Sequence, residues 1–111
     1  MNNMKKLLIL LIVIFPLTSI AENSGPRSIT QVGCHRNDNI CFITISGATV
    51  GPEECKSTSI RWNKNDPNGE AIFTLVTSAF YADKQIQFVP SNSCFVSQSN
   101  YPTMAYLSVI K

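Results

Sequence analysis

The sequence predicts a mainly β domain carrying one helix, and three observations support that. Residues 22–111 hold eight Ile and six Val against two Leu, with eighteen Ser and Thr, and β-branched side chains suit a pleated, half-buried surface. Short runs of alternating apolar and polar residues recur between clusters of Gly, Pro, Asn and Asp. One stretch only, residues 69–83, has the apolar period of a helix.

Taken in order, Ser28 to Arg36 reads as a first strand and Asn39 to Ser46 as a second. Asn37 and Asp38 stand between them and tolerate the positive φ of a tight hairpin turn. With those two as the turn, residues whose numbers sum to 75 face each other, and Cys34 falls opposite Cys41. The run GATVGPEE (residues 47–54) breaks the second strand. Lys56 to Asn63 alternates, with Thr58, Ile60 and Trp62 on one face and Ser57, Ser59 and Arg61 on the wet one. Asp66 followed by Pro67 reads as an N-cap and a first helical residue. In the helix, Ile72, Leu75, Val76 and Ala79 keep i, i+3, i+4, i+7 spacing, and Phe73 and Phe80 widen the stripe. Gln85 to Val89 is a fourth strand ended by Pro90-Ser91-Asn92-Ser93. Cys94 to Pro102 is a polar loop, and Thr103 to Ile110 closes the chain as a fifth strand.

The order β-β-β-α-β-β, with its helix between strands three and four, is that of an OB-fold, a five-stranded Greek-key barrel. Closure removes the exposed edges that an open sheet with the helix on one face would present. That open α+β sheet is the alternative.

Residues 1–21 read as a signal peptide: Lys5 and Lys6, an apolar run from Leu7 to Phe15, then Ser19-Ile20-Ala21 as a small-x-small cleavage site. The run is short of the roughly 20 residues a membrane span needs, so the expected location is periplasmic or secreted, as one domain over 22–111. That domain carries seven basic and seven acidic side chains. A neutral, exported domain lacks the basic groove interleaved with aromatics that a nucleic-acid OB-fold needs.

Cys34, Cys41, Cys55 and Cys94 are the only cysteines. In a short exported chain an even number reads as disulfides. Zinc is not expected, because no Cys-x-x-Cys knuckle occurs and His35 is the single histidine. The hairpin register pairs Cys34 with Cys41 and leaves Cys55 for Cys94. The rival, Cys34–Cys94 with Cys41–Cys55, stays open on the sequence alone.

Enzyme chemistry finds little support. His35 adjoins Cys34 on a strand, where neighbouring side chains point to opposite faces, and neither a Gly-x-Ser-x-Gly elbow nor a His-Glu-x-x-His motif occurs. Glu53 and Glu54 read as a solvated loop tip. The expectation is a non-enzyme without cofactor. Binding residues are sought instead at Arg61-Trp62-Asn63, a cation, an aromatic face and an amide at a strand end, and at Tyr101 among Ser, Gln and Asn in the last loop. Trp62 shares the Thr58/Ile60 face, which also fits a core anchor.

The blocks CKSTSIRW, GEAIFTLVTSAFYADKQIQFV, SCF and TMAYLSVI resemble small exported bacterial OB-fold proteins similar to the B subunits of AB5 toxins. The likeness is to the subtilase-cytotoxin type and, more distantly, to the cholera type through GPRSITQVGC and the chain's end. The resemblance implies an OB-fold and allows glycan binding by a homopentamer, for which an exported A-type subunit would be the partner. It also favours Cys55–Cys94, since both lie in the block that carries the likeness, whereas the cholera-type likeness favours Cys34–Cys94. The alternative function is a disulfide-stapled structural or protein-interaction domain, an inhibitor or orphan partner of another exported protein.

Overall fold

A computed structural model describes residues 22–111. The signal peptide expected over residues 1–21 lies outside the described residues. Among those described, no helix is long and apolar enough to cross a membrane.

The domain is mainly β, with five strands in two antiparallel sheets and one helix. Strands β1 (Ile29–Cys34), β2 (Ile40–Ile45) and β3 (Ser59–Asn63) form one sheet in that order, and β4 (Gln85–Cys94) pairs with β5 (Pro102–Ile110) in the other. Helix α1 spans Gly69–Ala82 between β3 and β4. The segment before β1 joins the sheets: Arg27 and Ile86 exchange backbone hydrogen bonds at 2.8 and 2.9 Å, and Ser24 N–H donates to Phe88 O at 2.8 Å. β3 lies beside β5, but no hydrogen-bonded ladder joins them. The sheets therefore do not close into the continuous barrel the element order predicts.

The β1–β2 register follows the sum of 75 at Gln31↔Thr44, Val32↔Ile43, Gly33↔Phe42 and Cys34↔Cys41. The turn differs. His35 N–H donates to Ile40 O at 2.7 Å, and the positive φ belongs to Asn39 (61°), not to Asn37 or Asp38. A four-residue loop over 36–39 shares its centre with the two-residue turn, so the pairing is unchanged. Both disulfides form, Cys34–Cys41 and Cys55–Cys94, so the rival pairing is excluded.

Alternation places Cys41, Ile43 and Ile45 of β2 and Ile60 and Trp62 of β3 in one core with Ile86 and Phe88 of β4. The helix seals it with Val76 and Ala79. Leu75, expected in that stripe, is 41% exposed, because the buried line of the helix runs through 72, 76 and 79 and Leu75 sits to one side. The helix also begins later than Asp66-Pro67 predicts. Asp66 N–H donates to Asn63 O and Gly69 N–H to Asp66 O, so tight turns occupy those residues, and Asn68 precedes the helix in a left-handed conformation. Pro90 does not end β4. It sits between two register shifts, where the N–H it lacks is not required.

Candidate functional site

The alternation that sends Ile43 and Trp62 inward turns Phe42 and Arg61 outward. Register then lines up three residues across the sheet, Gly33 opposite Phe42 and Phe42 opposite Arg61. The Arg61 guanidinium carbon lies 4.7 Å from the Phe42 ring centroid and 3.9 Å from that of Tyr101, both within cation–π range. Two hydrogen bonds fix its orientation: Nε donates to Ser59 Oγ at 3.1 Å and Nη1 to Gln98 Oε1 at 3.0 Å. Nη2 has no hydrogen-bond partner among the described residues.

The β4–β5 loop reaches this face because it folds on itself. Phe95 N–H donates to Tyr101 O at 2.9 Å and Tyr101 N–H to Gln98 O at 3.0 Å. Phe95 is buried, and Cys94 is tied to Cys55. Tyr101 and Gln98 are thereby presented from a fixed loop. At the opposite end of the row, His35 stands edge-on to Phe42 with centroids 6.1 Å apart. Its Nδ1 is 3.1 Å from both carboxylate oxygens of Asp38. That bond, seconded by the Ile40 N–H, holds the Asp38 carboxyl below its ordinary value.

Of the residues picked from sequence, Arg61 and Tyr101 meet on this face. Asn63 ends β3, half-buried, and its Oδ1 accepts the Asn65 N–H at 2.8 Å, which shapes the turn toward the helix. Trp62 is in the core, 3% exposed, with its indole N–H bonded to Gly69 O at 2.9 Å. It therefore presents no ring to the outer face. Sequence reasoning missed Phe42 and Ser59, and reached Gln98 only as the Gln that shares the last loop with Tyr101. The first was accessible, since the sum-of-75 register and the outward parity of residue 42 place it over Gly33; Gln98 depends on how the last loop folds.

A second concavity, an open cleft of about 580 Å³, lies between the Glu22–Ser24 segment, the Thr49–Glu54 loop and the Pro90–Asn92 bulge. Its rim holds Glu53 and Glu54, the former paired with Lys56 at 3.1 Å. No family model, curated protein or solved structure matches this chain.

Proposed function

We propose that the chain is an exported, non-enzymatic binding module of partly closed OB type, and that it takes a glycan on the outer face of β2 and β3. The observation carrying this reading is the meeting of Arg61 with both the Phe42 and the Tyr101 rings. It gathers the β1–β2 hairpin end, the β2–β3 face and the β4–β5 loop on one surface. In OB-folds these are the elements that hold oligosaccharides and oligonucleotides. With acidic and basic groups balanced, an oligosaccharide is the better fit of the two. Rings offer apolar sugar faces a surface, while the Arg61 Nη2 and the Gln98 amide offer hydrogen bonds to hydroxyls.

Export rests on residues 1–21 and is supported by the two disulfides. A homopentamer with an A-type partner follows only from the toxin resemblance. Light scattering of the oxidised protein tests the assembly, and a monomer at micromolar concentration removes it.

A glycan array tests the binding reading. Reproducible hits with the wild type, lost in Arg61→Ala and Tyr101→Ala variants that melt at the wild-type temperature, are the expected result. A blank array, or hits that both variants retain, overturns it. A protein-interaction domain is the second reading, favoured by the exposure of Tyr81 (81%) and Leu75 on the helix.

A further inference from the structure

We propose that Gly33 is the positioning residue of this face: its missing side chain is what lets the Phe42 ring lie across β1 and remain beside Arg61. This rests on the reading of the face as a ligand site, although the geometry stands without a ligand. A Cβ built on Gly33 would come 2.7 Å from Phe42 Cζ and 3.0 Å from Cε1, closer than carbon atoms approach without displacement. Backbone conformation does not call for this glycine. Positive φ occurs at Gly25, Gly47 and Gly51, and Gly33 is an ordinary strand residue. Glycine inside a strand offers no side chain to pack and often marks a close approach. Here the approaching group is a ring from the directly opposed residue.

The consequence passes along the row. The Phe42 ring and the Tyr101 ring each lie against the Arg61 guanidinium. A methyl at residue 33 meets the far end of a side chain with two torsions, so the ring gives way and the backbone stays. Arg61 then keeps Tyr101, Ser59 and Gln98 and loses Phe42. The face is altered while the fold persists.

The test compares Gly33→Ala, Phe42→Leu and the double variant with the wild type. The first readout is the NMR shift of the Arg61 side-chain Hε, which ring currents from Phe42 and Tyr101 are expected to displace upfield in the free protein. Gly33→Ala is expected to melt near the wild-type temperature and to move Hε downfield in the same direction as Phe42→Leu, with no further movement in the double variant. An Hε unmoved by Gly33→Ala, or moved as far by that change when Phe42 is already Leu, overturns the proposal. If Gly33→Ala fails to fold, the double variant should fold, since the colliding ring is gone; a double variant that also fails to fold overturns the proposal.

The second readout is the array described above, on which Gly33→Ala should weaken the strongest wild-type signal about tenfold, equivalent to 1.4 kcal/mol. Undiminished binding by Gly33→Ala overturns the positioning role. A blank wild-type array removes the glycan reading alone, and the Hε comparison still decides the role of Gly33.

Discussion

Trp62 donates its indole N–H to the carbonyl of Gly69 at 2.9 Å, so the residue before the end of β3 holds the first residue of α1. Both residues are buried, and the bond spans the turns that connect the two elements. Trp62→Phe keeps an aromatic ring in the core but removes the donor and some volume. It is expected to cost about 1–2 kcal/mol, read from the midpoint of urea unfolding, and to leave the outer face unchanged. Gly69→Ala should cost more, because its Cβ would stand 2.5 Å from the carbonyl oxygens of both Asn63 and Lys64. Those are backbone atoms that cannot swing aside.

The two disulfides close loops of very different length, with sequence separations of 7 for Cys34–Cys41 and 39 for Cys55–Cys94. Chain entropy assigns about 2 kcal/mol to the short loop and about 4 kcal/mol to the long one. Cys94→Ser is therefore expected to lower the unfolding free energy more than Cys34→Ser does. Thiol titration should find one free cysteine in each variant. Peptide mapping should identify it as Cys55 in the first and Cys41 in the second.

What was legible in the sequence was local or periodic. The β1–β2 register is legible because it depends only on where the turn is centred, and a two-residue turn and the four-residue loop share that centre. The helix emerged from its apolar period, though Leu75 was misplaced by the width of the stripe. Its start is not legible, because Asp66-Pro67 suits a helix cap and the tight turns that use it equally well. The meeting of Arg61 with Tyr101 depends on a loop that returns across the sheet from a distant part of the chain. No spacing encodes that. The missing ladder between β3 and β5 was likewise beyond the element order, which says which strands exist and not whether the last seam closes.

Arg27 is a cross-link that sequence reasoning passed over. Its Nη1 donates to the carbonyls of Ser46 and Ala48, each at 2.8 Å, and its Nε to Ser24 O at 2.9 Å, while its backbone pairs with Ile86. One side chain thus ties the end of β2 to the segment that runs along β4. Arg27→Ala should cost about 1–3 kcal/mol, since donors from a charged group are lost at three carbonyls and part of each is replaced by water. Hydrogen exchange locates the damage: the Ile86 amide, which bonds to Arg27 O, should exchange faster, and the Ile43 amide in the β1–β2–β3 sheet should change little.

Acid should reach the candidate site through its hairpin end. The Asp38 carboxyl lies below the usual carboxylate range chiefly because His35 bonds to it, with the Ile40 N–H adding to the effect. A carboxyl with a depressed folded-state pKa stabilises the native hairpin above its unfolded value, and that contribution fades as pH falls through the lower folded value. The pair is exposed, so the effect on global stability is small, and a local probe is needed. The Ile40 amide shift should move as the solution is acidified below the ordinary carboxylate range. In Asp38→Asn the side-chain oxygen can still accept the Ile40 N–H, but there is no proton to take up, so that movement should vanish. His35 leans edge-on against Phe42, so protonating Asp38 in the wild type also releases one edge of the Phe42–Arg61–Tyr101 stack. The Arg61 Hε should then shift with the same midpoint as the Ile40 amide. An Hε that stays still while the Ile40 amide titrates would show that the hairpin end and the stack are independent.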